Sequence, residues 1–172
     1  MQKATVTELN LRMAGPEDKA FLLELRNSPA VRLQSKTQEV IAETTHEQWF
    51  HAQLKRPDSV IWILEYQGQR EGYLRAQESE PGRWLLSIAL HANAHGKGHG
   101  AWVVREGCRL LHKRYGARCL VAEVLAKNTT ARRFFKSLGF VEKEILRQGE
   151  LDLVRFELDL MIEMEKGGSS RG

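Results

Sequence analysis

"RWLLSIALHANAHGKGHGAWVVREGCRLLHKRYG", residues 83–116, runs from an apolar segment of strand length, through a glycine-rich turn, into a segment with helical periodicity. At its centre "HANAHGKGHG" (91–100) holds three histidines and three glycines in ten residues. His91, His95 and His99 have the spacing that a helix would place on one face, and neutral imidazole is a common ligand for zinc, copper or nickel. The glycines oppose that geometry, because Gly96, Gly98 and Gly100 each lower helix propensity by about 1 kcal/mol relative to alanine. A turn is expected instead, where small residues let backbone N–H groups converge on an anion at the positive end of the following helix. No Cys, Asp or Glu lies between residues 81 and 105. A phosphate-type anion therefore explains the glycines as well as the histidines, and no metal is expected.

Outward from this stretch the chain alternates strands and helices. Residues 5–14 read as a strand, and 15–28 as a helix opened by Pro16 and the acidic residues that favour its N-terminus. Residues 29–44 show no clean period. "TTHEQWFHAQLKRP" (44–57) offers an N-cap threonine, a helical run and a stop at Pro57. Apolar runs at 59–67, 70–78 and 82–90, parted by turn residues, predict an antiparallel meander. The glycine turn and a helix over 100–115 come next, then a strand over 117–126, a helix over 128–139 closed by Gly139, and a final hairpin of 140–147 and 150–160.

With 172 residues and 42% hydrophobic content, one buried core is the expectation, with a domain over 1–162 and a disordered tail over 163–172. The formal net charge is +4 and the sequence pI ≈ 9.2. That balance suits an anionic cofactor or substrate, or simply a solvated basic surface. Without a long basic run, a nucleic-acid partner is not expected. Cys108 and Cys119 sit in apolar helix and strand patterns, without a CxxC, and read as reduced thiols. The N-terminus lacks a signal-peptide core, and no apolar run approaches a membrane span. A cytoplasmic protein without membrane partners is the expectation.

Two motifs in this order carry a resemblance. His95, Gly98 and Gly100 stand where the GNAT superfamily of acyl-CoA-dependent N-acetyltransferases places Gln or Arg, then Gly, then Gly or Ala. About thirty residues on, Asn128, Ala131, Phe134-Phe135 and Leu138-Gly139-Phe140 match that family's second pattern. The resemblance implies a mixed α/β (α+β) single domain, with a mostly antiparallel twisted sheet, a splayed parallel strand pair and about four flanking helices. It implies acetyl-CoA as acyl donor and no metal. The pyrophosphate would lie on amides of Gly96, Lys97, Gly98, His99, Gly100 and Ala101, with charge added by the His95 and Lys97 side chains, and the pantetheine arm would pair with backbone groups of Ile88 and Leu90. Asn128 would bond that arm, as well as capping a helix, and Phe135 would lie near the thioester or else in the core.

The implied chemistry is direct attack by an amine, which needs a base and oxyanion donors. Glu123, five residues before Asn128, is the first candidate base, and His46 the second. Phe135 stands where many members carry a tyrosine that protonates the leaving thiolate, so either Tyr115, Tyr73 or water replaces it, or the thiolate leaves unaided. "LRNSPAVR" (25–32) and "THEQWF" (45–50) are similar to acetyltransferases of bacterial amino-sugar (pseudaminic acid) pathways, and more loosely to ribosomal-protein N-terminal acetyltransferases. That likeness implies a small-molecule amine, best the 4-amino group of a nucleotide-linked sugar. Arg26, Asn27, Trp49 and Arg75 would contact it, with Arg32 as a further phosphate partner. A protein N-terminus or a polyamine-like antibiotic is the alternative acceptor, and a non-catalytic acyl-CoA sensor the alternative of another class. A homodimer is possible.

Overall fold

The computed structural model describes residues 8–162 and Lys166. A seven-stranded sheet has the order β1-β2-β3-β4-β5-β7-β6. Its first half is the expected meander of β1 (Leu9–Met13), β2 (Ser59–Tyr66), β3 (Gln69–Glu80) and β4 (Arg83–Leu90), all antiparallel. Helix α4 (His99–Tyr115) carries the chain over the sheet, so β5 (Cys119–Leu125) returns parallel to β4. Helix α5 (Thr129–Ser137) and the hairpin of β6 (Val141–Gln148) and β7 (Leu151–Asp159) complete it, with β7 antiparallel to both β5 and β6.

Strand alternation gives the sheet two faces. Val60, Trp62, Leu64, Leu74, Ala76, Trp84, Leu86, Leu120 and Phe156 point one way, and pack with Val103, Val104 and Leu111 of α4 and Phe135 of α5. Ile61, Ile63, Tyr73 and Ala89 point the other way, under α1 (Lys19–Asn27) and α3 (Glu43–Lys55), whose Leu22, Leu25 and Phe50 complete a smaller cluster. The entry to α1 is fixed by Asp18, which is fully buried. It accepts bonds from Arg12 Nη1 and Nη2 at 2.8 and 2.9 Å and from the Gly15 amide at 2.8 Å, with Arg70 at 3.1 Å. Burial alone would raise this carboxyl, but Arg12, the amide and Arg70 outweigh it and hold it below its ordinary value.

Three expectations change. The aperiodic stretch 29–44 contains a short helix, α2 (Pro29–Leu33), which Pro29 opens as a preset first residue. Neither Thr44 nor Thr45 is the cap of α3; the cap is Ala42, without a side-chain bond, and the helix starts at Glu43. Among the described residues the expected four flanking helices are thus the five of α1 to α5, joined by two short 3-10 turns at Pro16–Asp18 and Ala92–Ala94. Residues 5–7 of the first predicted strand, and the tail predicted over 163–172 apart from Lys166, lie outside the described residues.

Candidate active site

The glycine turn leaves β4 and enters α4 through two left-handed residues, Gly96 and Gly98, each at φ 78°. A Cβ at either would meet nothing within 4 Å, so this backbone borders open space. Gly98 caps α4 without a side chain, and the first amide turned back on the helix is Trp102 N, on Gly98 O at 3.1 Å. The amides of 99–101, in the first turn of a 17-residue helix, thus have no carbonyl of their own helix to bond and lie at its positive end. His95 and Lys97 are exposed beside them, with Lys97 Nζ 5.8 Å above the Tyr66 ring. His99 is different: its ring is buried, bonds Glu71 Oε2 through Nδ1 at 2.7 Å and packs on Tyr66, so only its amide faces the turn. His91 packs on Phe21. The three histidines therefore point to three different places, and no group of three or more metal-ligating side chains occurs among the described residues.

Behind the turn the sheet forks. β4 and β5 pair only from Arg83↔Cys119 to Leu86↔Ala122, then part. His91 N bonds Glu71 O on β3, and alternation then turns the backbone groups of Leu90 and Ile88 away from β3, toward the gap. From Leu86 to Leu90 the open edge is about 13 Å long. Across it stands Asn128. Its Oδ1 accepts from Ala131 N at 3.1 Å as the α5 cap, and its Nδ2 has no partner among the described residues. Phe135 is 5% exposed and enclosed by Phe134, Phe140 and Phe156, so it belongs to the core. The ring beside the turn is Phe134, within 3.4 Å of where a Cβ on Gly100 would stand.

Glu123 is the first β5 residue beyond the fork and lies on the α1–α3 face. Its carboxylate meets Lys36 Nζ at 3.0 Å and Arg155 Nη2 at 3.8 Å. Lys36, from the aperiodic segment, gave no sequence signal. On the same face Tyr73, Arg75 and Gln77 follow one another at period two on β3, with Arg75 in register with Ser87 of β4. Arg75 lies 5.3 Å over the Trp49 ring and bonds Gln77 and, at 3.4 Å, Gln53. Arg26 lies near the buried Tyr73 hydroxyl; burial raises that phenol above its ordinary value, against the pull of Arg26 and Arg75, and keeps it protonated. Among the described residues neither Arg26 nor Arg75 has a carboxylate partner.

His46 is 2% exposed, stacks on Phe50 and tilts against Trp49, and both ring nitrogens lack hydrogen-bond partners among the described residues. Burial first, then Arg26 and Lys19, push its proton affinity below the ordinary value, leaving a neutral imidazole. It borders a cleft of ≈ 380 Å³ between α1 and α3, lined also by Lys19, Leu23, Glu24, Asn27 and Glu43. Asn27, expected as a substrate contact, stands in the wall of this cleft with its side chain oriented by the chain itself. Its amide is taken by the backbone of Ile41, donating to the carbonyl at 2.9 Å and accepting from the N–H at 2.8 Å. Arg32 is likewise committed, to the carbonyls of Asn27 and Gln38. Tyr115 is wedged against Trp62 and Trp84 at the far end of α4, about 24 Å along the helix from the turn. It cannot protonate a group at the fork, whereas Tyr73 borders that side of the sheet.

Residues 21–140 match the family described as Acetyltransferase (GNAT) family. No curated protein sequence matches the chain. Among solved structures it is similar to the spermidine N-acetyltransferase of Vibrio cholerae in complex with CoA and spermine, at 15% identity and a TM-score of 0.81, covering 90% of this chain and 97% of that one. A dodecameric form of the Vibrio cholerae enzyme gives 16% identity, coverage of 93% and 98%, and a TM-score of 0.78. RimL, a ribosomal L7/L12 alpha-N-protein acetyltransferase in complex with coenzyme A, gives 17% identity, coverage of 89% and 94%, and a TM-score of 0.78. At these identities the likeness is one of fold. No helix among the described residues is long and apolar enough to cross a membrane.

Proposed function

The chain belongs to the acetyltransferase (GNAT) family and is an acetyl-CoA-dependent N-acetyltransferase; from that premise we propose that its acceptor is an anionic small-molecule amine, best represented by a nucleotide-linked amino sugar. The observation that carries this is the pair Arg26 and Arg75. Two partly buried guanidinium groups, with no carboxylate partner among the described residues, lie beside Trp49 and Tyr73 on the face where the fork opens. Such groups favour a phosphate or carboxylate on the ligand, and Trp49 offers a ring for stacking. A polyamine, the kind of ligand held by the Vibrio cholerae enzyme, would meet like charge here.

The coenzyme's pyrophosphate is assigned to the amides of 96–101, with Lys97 and His95 adding side-chain donors and His99 contributing its amide alone. The open edge at Ile88 and Leu90 suits the amide-rich pantetheine arm, and the free Nδ2 of Asn128 suits a carbonyl on it. Glu123, just past the fork, is the proposed base for the incoming ammonium, and His46 is the second candidate, on the acceptor side. The protonated Tyr73 is a proton donor for the leaving thiolate.

Coenzyme release measured across a panel of amines tests the acceptor. A nucleotide-linked amino sugar should give the highest kcat/KM. Arg75→Gln should raise its KM about tenfold or more while leaving coenzyme affinity unchanged. Higher kcat/KM on spermidine, or on a peptide N-terminus, would replace the proposed acceptor by that class.

A further inference from the structure

Residues 34–42, between α2 and α3, are folded back on themselves by the Asn27–Ile41 clamp and by Arg32 on the Gln38 carbonyl. Their ion pair with the sheet is Lys36 to Glu123, at 3.0 Å, with the two side chains 39% and 14% exposed. A primary amine of the chain itself is thus held against the carboxylate assigned as base, at the first position past the fork. An acceptor amine must stand in that same relation to Glu123. We propose that Lys36 is an intramolecular acceptor, and that the chain acetylates its own Lys36 when no external amine is present. The inference rests on the assignment of Glu123 as base and of the fork as the place of the thioester.

The step is balanced without any further reactant. Glu123 takes one proton from the Lys36 ammonium, and the free amine attacks the thioester carbonyl. The C–N bond forms, the C–S bond breaks, and the second amine proton leaves with the sulfur as the coenzyme thiol. Proximity favours the reaction, because amine and base are already in contact and need no bimolecular encounter. The product is a neutral amide, which removes the ammonium from Glu123 and leaves Arg155 as its cation. An external amine and Lys36 compete for the same carboxylate, so a saturating acceptor should protect Lys36.

The test is peptide mass spectrometry of the full chain after incubation with acetyl-CoA alone, beside a parallel assay of transfer to an accepted amine. Lys36 should be acetylated ahead of the exposed Lys55 and Lys113, at a rate independent of protein concentration. Glu123→Gln should slow it on the order of a hundredfold, while the slow chemical acetylation of Lys55 and Lys113 is unchanged. Lys36 modified no faster than those lysines, or equally fast in Glu123→Gln, would overturn the proposal. If transfer to the external amine proceeds and depends on Glu123 while Lys36 stays unmodified, self-acetylation falls and the proposed function stands. If neither amine is acetylated, both fall together.

Discussion

The two faces of the sheet are built from different chemistry. Beneath α4 and α5 lies the large cluster, whose buried side chains are almost all apolar, from Trp62 and Trp84 to Val103, Leu120 and Phe156. Beneath α1 and α3 the apolar cluster is small, and the buried or half-buried groups around it include His46, Gln53, Tyr73, Arg75 and, past the fork, Glu123. One face supplies the apolar burial that stabilises a domain of this size. The other keeps polar groups out of water at a cost in free energy, and such groups gather where a ligand supplies the missing partners. The fork between β4 and β5 is where the two meet: its apolar side carries the coenzyme motifs, and its polar side is assigned to the acceptor.

The largest effect should come from the dry face. Phe156→Ala removes a fully buried ring stacked on Phe135, and should cost about 3–5 kcal/mol of stability in chemical denaturation. Below its melting transition the KM for the acceptor should be unchanged; a KM effect of the same size would erase the distinction between the faces. Next, Glu123→Gln should lower kcat on the order of a hundredfold, about 2.7 kcal/mol, with coenzyme affinity intact. Loss of turnover on changing His46, with wild-type rates in Glu123→Gln, would move the base to the acceptor cleft. Third, Gly98→Asp puts a side chain and a negative charge at a left-handed position that borders open space. Calorimetry should show coenzyme binding weakened more than about tenfold, ~1.4 kcal/mol, in a folded protein.

The smallest effect is one of pH. His46 is held neutral in the fold and its proton affinity is depressed, so the unfolded chain binds the extra proton first. Stability should therefore be full above the ordinary histidine value of 6.5 and fall as pH drops below it, toward the depressed folded value. His46→Phe removes the proton site and keeps a ring between Trp49 and Phe50. Its denaturation midpoint should depend less on pH than the wild type's below about pH 6.5. Equal slopes would show that the polar face does not report this protonation.

The same contrast explains what could be read in advance. The half assigned to the coenzyme is local in sequence: the turn at 95–100 and the Asn128 cap each lie in one short window and are expected from it, whereas the left-handed φ of Gly96 and Gly98 is seen only in the structure. Strand order in the meander follows from period two and turn residues. The half assigned to the acceptor draws on Arg26, Lys36, His46, Trp49, Arg75 and Glu123, from four elements and a loop, and no window of sequence contains them. Period two does put Tyr73 and Arg75 on one face. Nothing in the sequence distinguishes Asn27, spent on the backbone of Ile41, from a free asparagine, nor marks Lys36 within an aperiodic stretch. Phe135 and Phe134 are adjacent on an amphipathic helix, and only the packing of Phe140 and Phe156 shows which is enclosed.

The parting of β4 from β5 after four paired residues also makes the free sheet incomplete. Leu90 and Ile88 have a neighbour on one side only, so their amides should exchange with solvent faster than those of Leu74 or Val154, which are flanked by strands on both sides. An extended ligand arm lying along that edge acts as an eighth strand, and its binding energy becomes folding energy. At a coenzyme concentration one hundred times Kd, this linkage adds about 2.7 kcal/mol to global stability. Hydrogen exchange should register it as slowing at Ile88 and Leu90 well beyond the general shift, with the gap between two strands behaving as a late-folding part of the sheet that is finished from outside the chain.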